Sequence, residues 1–105
     1  MGFLKRIFGE MEEEPRIGPT PSGGGSFRVE DVYNIKGVGI VAVGQVTEGS
    51  LVPGQKTFIN GKQTEIKSME AGHKQIFFAS TGQSIGINLR GISKGDVRPG
   101  MALNF

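Results

Sequence analysis

The chain has 105 residues, of which 18 are glycine and none is cysteine or tryptophan, and its formal net charge is +2. That length allows one small domain; the missing cysteine excludes disulfides, thiolate metal sites and thiol catalysis; and abundant glycine with few aromatics points to short strands and tight turns. No apolar run approaches the roughly 20 residues that cross a bilayer, and the start of the chain lacks the small-residue cleavage site of a secretory signal, so the expectation is a soluble, cytoplasmic protein.

Residues 1–9 place Phe3, Leu4, Ile7 and Phe8 on one face at helical spacing, with Lys5 and Arg6 off that face. A helix this short is marginal in water, because the cost of nucleation outweighs the few bonds gained. It needs a surface to fold on: a membrane, as a peripheral contact through residues 1–9, a partner protein, or the rest of its own chain. Gly2 does not signal myristoylation, since the sixth position is Arg6 rather than Ser or Thr. Residues 10–26 then change character, with the run Glu12-Glu13-Glu14, three prolines (Pro15, Pro19, Pro21) and the flexible string Ser22-Gly23-Gly24-Gly25-Ser26. Only Ile17 is available to bury, which predicts a disordered linker.

From Phe27 the period becomes two: Phe27, Val29, Asp31, Tyr33 and Ile35 alternate with Arg28, Glu30, Val32 and Asn34. Ile40 to Val46 is apolar on both faces and reads as a strand covered on both sides, joined to the first by the glycine-pinched corner Gly37-Val38-Gly39 and closed by a turn at Glu48-Gly49. Asn60-Gly61, between Lys56–Ile59 and Gln63–Lys67, is a strong signal for a type I′ hairpin. Gln75–Ala79 reads as a further strand, and Ser84–Arg90 alternates with Ile85, Ile87 and Leu89 inward. Met101-Ala102-Leu103 closes the series. The stretch Gly49-Ser50-Leu51-Val52-Pro53-Gly54-Gln55 is echoed by Gly95-Asp96-Val97-Arg98-Pro99-Gly100-Met101, which predicts two matching loops at a barrel rim. The predicted fold is all-β: a small closed antiparallel β-barrel of six to seven strands over residues 27–105, with a short amphipathic helix on a flexible linker ahead of it.

Three motif-like strings carry no chemistry. Gly37-Val38-Gly39-Ile40-Val41-Ala42 fits a dinucleotide fingerprint, but a β-branched run follows where a helix N-terminus is required. Gly49 to Thr57 nearly spells a phosphate loop, yet Gln55 interrupts it and a strand follows. Glu30 and Asp31 are neighbours, so in a regular strand they face opposite ways and cannot act as an acid/base pair. His73, the one histidine, has no cysteine or acidic cluster beside it, so no metal site is expected. The chain reads as a binding module rather than an enzyme, with no cofactor. Its charge fits that reading: residues 1–26 hold three basic and four acidic groups, and residues 27–105 hold nine basic and six acidic. A mildly basic barrel suits a phosphate-bearing partner, and equally serves solubility.

Glu30-Asp31-Val32-Tyr33, Ile35 to Gly39, Val43-Gly44-Gln45-Val46, Glu48-Gly49, Leu51-Val52-Pro53-Gly54, Gly82-Gln83-Ser84-Ile85-Gly86 and Leu89-Arg90-Gly91-Ile92 stand in an order and spacing that resembles the second domain of the translational GTPases, the barrel of elongation factor Tu. The resemblance covers about three quarters of the chain. With no GTP-binding domain before it and no third barrel after it in this sequence, the expectation is a stand-alone barrel with a short tail. The resemblance implies contact with the acceptor end of tRNA, or other RNA, and docking on a GTPase or translation-factor partner. It assigns Ile35, Gly37 and Val41 to the wall of a pocket for the terminal adenosine and Glu70 as acceptor for its base edge, with Lys74 and Arg90 contacting phosphate. The family's basic residue three positions after the glutamate is His73 here, and a leucine of the pocket wall is Asn88. An unstacked 3′ base does need an apolar face and an edge acceptor. Ile35 and Val41 are read equally as barrel packing, and Glu70 as a solvated loop charge.

Overall fold

The computed structural model describes residues 24–105. The expected helix with Phe3, Leu4, Ile7 and Phe8, and the linker up to residue 23, lie outside the described residues. Eight strands follow in order: β1 (Gly25–Ile35), β2 (Gly39–Leu51), β3 (Lys56–Ile59), β4 (Lys62–Ala71), β5 (Lys74–Ile76), β6 (Ala79–Ser80), β7 (Ser84–Arg90) and β8 (Ala102–Asn104), with a 3-10 turn at Lys94–Asp96 before the last. The order around the barrel is β3-β4-β7-β2-β1-β8, every pairing antiparallel, while β5 attaches to β4 and β6 to β2. Between β3 and β8 the closure is made by a side chain: the Thr57 hydroxyl donates to the Asn104 carbonyl at 2.6 Å. The barrel is nearly closed, an arrangement that leaves little unpaired edge.

Phe27, Val29, Val46, Leu51, Ile66, Met69, Ile87 and Val97 are fully buried inside it. Each such side chain contributes on the order of 1.5–3 kcal/mol relative to exposure. Asn60 and Gly61 form the two-residue β3–β4 turn with φ of 56° and 79°, the left-handed values a type I′ turn requires. The two echoed loops adopt the same turn: Gln55 N–H donates to the Val52 carbonyl and Met101 N–H to the Arg98 carbonyl, with Gly54 and Gly100 at φ of 100° and 96°. Each docks on a strand in the same manner. Gly54 N–H donates to the Ile66 carbonyl at 2.8 Å and Gly100 N–H to the Val29 carbonyl at 2.7 Å.

Five expectations need correction. β1 begins at Gly25, within the expected linker, because Gly25 and Ser26 pair with Gly49 and Glu48. A bulge at Glu30, between the pairs Val29–Gly44 and Asp31–Val43, inverts the alternation of β1. Val32 is therefore buried, Asp31, Tyr33 and Ile35 are exposed, and Glu30 and Asp31 both face solvent rather than opposite ways. β2 is buried on one face only; its other face carries the half-buried Val41, Val43 and Gln45. Glu48 and Gly49 do not end that strand. A register irregularity and the positive φ of Gly49 (66°) let it continue to Leu51 and exchange β1 for β6 as partner. Gln75–Ala79 is two short strands, because β5 pairs with β4 and β6 with β2, and Phe77 and Phe78 span the crossing.

Candidate nucleic-acid interface

The outer face of the β1-β2-β7-β4 sheet carries most of the residues singled out in the sequence. Two rows cross it. One runs Tyr33–Val41–Asn88–Ser68 and the next Asp31–Val43–Gly86–Glu70, continuing to Gln75 on β5. Ala42, Ile87 and Met69 alternate with these positions and are buried, which fixes the rows on the outside. Gly86 has no side chain between Val43 and Glu70, so the face is hollowed there. A β-carbon at Gly86 would meet Val41 Cγ1 at 3.6 Å and Val43 Cγ2 at 3.9 Å. The two valines thus stand at ordinary contact distance beside a gap in the row, a shallow channel whose opposite bank carries the exposed Glu70.

Asn88 ends the channel. Although on the outer face it is only 9% exposed, because the β1–β2 turn covers it; its amide donates to the Val38 carbonyl at 3.4 Å. An asparagine is accommodated here by a backbone partner that a leucine would leave unused.

The other expected residues spread outward. Ile35 pairs with Gly39 at the end of the β1–β2 hairpin, and Gly37 lies in the turn beyond it with nothing within 4 Å of a β-carbon built on it. Val41 and Glu70 therefore flank the gap at Gly86; Ile35 and Gly37 lie outside it, beyond the Tyr33–Val41–Asn88 row. His73 occupies the two-residue turn between Ala71 and Lys74, and Lys74 opens β5. Arg90 pairs with Glu65 while Lys74 pairs with Ala71, so six residues of β4 separate them, about 20 Å. They cannot grip the same phosphate. Arg90 instead joins Lys67 and Lys94 around a separate cavity beside Asn88.

Two residues of this face were missed by sequence reasoning. Tyr33, 48% exposed, continues the row of Val41 and offers an aromatic plane. Lys67 reaches the outer face through a second bulge, between Ile66 and Ser68. Both depend on bulges, which a strict period of two does not register.

The loop after β7 is held by Asp96. Its carboxylate accepts from Lys62 Nζ at 2.8 Å, the Ser93 N–H at 2.9 Å and Asn60 Nδ2 at 3.0 Å. These bonds, led by that from Lys62, hold its pKa well below the usual carboxylate range. Among the described residues no group of three or more His, Asp or Glu could hold a metal ion, and no helix is long and apolar enough to cross a membrane.

Residues 39–103 match the family model for elongation factor Tu domain 2. Elongation factor 1-alpha of Cenarchaeum symbiosum is 47% identical over 77 residues, which cover 71% of this chain and 18% of that protein. Elongation factor 1-alpha of Methanocaldococcus jannaschii is 47% identical over 74 residues, 69% of this chain and 17% of its own length. The chain thus spans under a fifth of these relatives. Among solved structures, translation elongation factor SelB from Methanococcus maripaludis in its apo form superposes with a TM-score of 0.71 at 18% identity, over 96% of this chain and 22% of that one. A bacterial selenocysteine-specific elongation factor, EF-Sec, gives 0.70 at 22% identity, over 96% of this chain and 18% of that one, so these two likenesses speak for the fold. By the model that covers most of its barrel, the chain belongs to the elongation factor Tu domain 2 family.

Proposed function

We propose that this barrel is a non-catalytic binding module of translation that takes the 3′-terminal nucleotide of tRNA, or of another RNA with the same end, in the channel over Gly86. The observation that carries this is the hollow itself: Val41 and Val43 on one side, Glu70 on the other, and no side chain between them. A terminal base has an apolar face for the valines and an edge amine for the carboxylate, and Tyr33 stands in the next row as a stacking plane. Family membership supports a place near the translation machinery.

The test is a titration of the full chain with tRNA ending in CCA at low salt. Removing the acceptor with Glu70→Ala should weaken binding about tenfold, the loss of one hydrogen bond to a charged group. Gly86→Ala is the companion variant. Its β-carbon meets only ordinary contacts at 3.6 and 3.9 Å, so the fold should be retained while the channel floor rises and affinity falls. Equal binding by wild type and both variants would remove the reading.

A second reading has its own support. Phe58 and Phe78 are 68% and 54% exposed, and neither belongs to the rows of the channel. They suit a protein-interaction surface for a GTPase or ribosomal factor. A pull-down that recovers such a factor after nuclease treatment favours this reading; loss of all translation partners on nuclease treatment favours the RNA.

A further inference from the structure

Beyond Asn88 the outer face opens into a cavity of about 470 Å³ at the end of the barrel. That is within the range of small-ligand pockets. Its wall brings together three cations from three separate places in the chain. Arg90 ends β7, Lys67 is turned outward by the β4 bulge, and Lys94 opens the 3-10 turn. Asn34 and Asn88 add amides, Val38 and Ile92 add apolar surface, and no carboxylate lines the cavity.

Positive groups on a protein surface are ordinarily offset by acids. Of the two acids on the adjoining elements, one is committed elsewhere and the other makes no ion pair with a described residue. Asp96 is committed to Lys62, Asn60 and the Ser93 N–H. Glu65 stands opposite Arg90 on one side and Lys56 on the other, yet forms no ion pair within 4.0 Å. Among the described residues Lys67, Arg90 and Lys94 take part in no salt bridge and no side-chain hydrogen bond. Three uncommitted cations around a partly apolar cavity favour an anion with several acceptor oxygens, for which the guanidinium fork and two ammonium groups are matched.

We propose that this cavity is a phosphate-binding site for a ribonucleotide, seating a backbone phosphate of the RNA whose terminal base lies in the Gly86 channel. This second part rests on the RNA reading above. Asn88 belongs to both places, lining the cavity and standing two residues from Gly86, about 7 Å along β7. A phosphate held there positions the strand; the channel reads its end. Arg90 therefore acts with Lys67 and Lys94, and not with Lys74 and His73 at the other end of β4.

The test is an amide chemical-shift titration of the full chain with three probes: adenosine, which carries no phosphate, 5′-AMP, and the trinucleotide CpCpA. Both phosphate-bearing probes should shift residues 67 and 90–94, and adenosine should not. Tighter binding of CpCpA than of AMP assigns the phosphate to RNA; tighter AMP binding keeps the phosphate site but assigns it to a free nucleotide. The triple variant Lys67→Gln, Arg90→Gln, Lys94→Gln should weaken CpCpA at least tenfold. It should also make the salt dependence shallower, by about 0.7 in the logarithmic slope for each phosphate no longer neutralised. The charge-matched variant Arg28→Gln, Lys56→Gln, Arg98→Gln should change neither. Equal losses in the two variants, or no response of residues 67 and 90–94 to either phosphate probe, overturn the site. If adenosine shifts residues around Gly86 and Glu70 while the cavity stays silent, the channel reading survives and the phosphate site fails. The reverse pattern keeps the phosphate site and removes the channel.

Discussion

His73 holds a φ of 66° in the tight turn before β5, one of two non-glycine residues among those described with a left-handed backbone; the other is Asn60. Asparagine tolerates that region through its short polar side chain, whereas an imidazole residue does so at a cost of about 1–2 kcal/mol. His73→Gly should therefore raise stability by up to about 1 kcal/mol, after the added freedom of the unfolded chain is offset. Urea unfolding measures that directly, and a tRNA titration of the same variant separates backbone from side chain. Gained stability with lost affinity means the ring touches RNA; gained stability with unchanged affinity confines His73 to the turn. At this scale the sequence was informative where a residue type met a motif. Glu70 and Val41 share the outer face. Gly86, by contrast, looked like one outward position among several; that it stands between Val43 and Glu70 follows from strand register, which no residue letter records.

Among the elements, the hairpin β3–β4 and the 3-10 turn before β8 are joined through one carboxylate. Asp96 bridges Asn60 and Lys62 on the hairpin to the Ser93 backbone on the loop that carries Lys94. Its folded pKa is depressed below the ordinary 3.8, so its bonds stabilise the fold above that value and are lost as pH falls through the folded one. The stability difference between wild type and Asp96→Asn should be constant near neutral pH. It should shrink in acid, below the usual carboxylate range, as measured by urea midpoints in steps down to about pH 2. A difference that does not change with pH would mean that the carboxylate charge has no part in the joint. The turns at Asn60-Gly61 and the two Pro-Gly loops were legible because their geometry is set by local residue chemistry. The facing of β1 was not. Its bulge at Glu30 goes with its pairing to β2, where Gly44 lets the Arg28 carbonyl approach so closely that a β-carbon would overlap it. That contact is between residues 16 apart, beyond the reach of any short window.

For the molecule as a whole, an all-β barrel was readable from alternation, glycine and turn spacing, and from the matching loops. The six strands on the closing path fall within the expected six to seven. The manner of closing was not readable: it depends on how β3 meets β8, where the Thr57 hydroxyl replaces a ladder. The same seam region brings the ends of the described barrel together: Phe105 N–H donates to the Gly25 carbonyl at 2.9 Å. A permutant that links Phe105 to Gly24 through a short Gly-Ser bridge, and opens between Gly72 and His73, should keep its sheet signal in circular dichroism and unfold cooperatively. Loss of the cooperative transition would show that the β4–β5 turn is needed for folding.

That meeting of the ends has an architectural consequence. β1 runs 11 residues from Gly25 to Ile35, and Asn34, at its far end, lines the cavity that Lys67, Arg90 and Lys94 surround. Whatever is attached at Gly24 or Phe105 therefore departs from the pole remote from the three cations. Both ends of the described barrel thus lie on one side and the proposed phosphate site on the other, so a segment joined at either end starts away from that face.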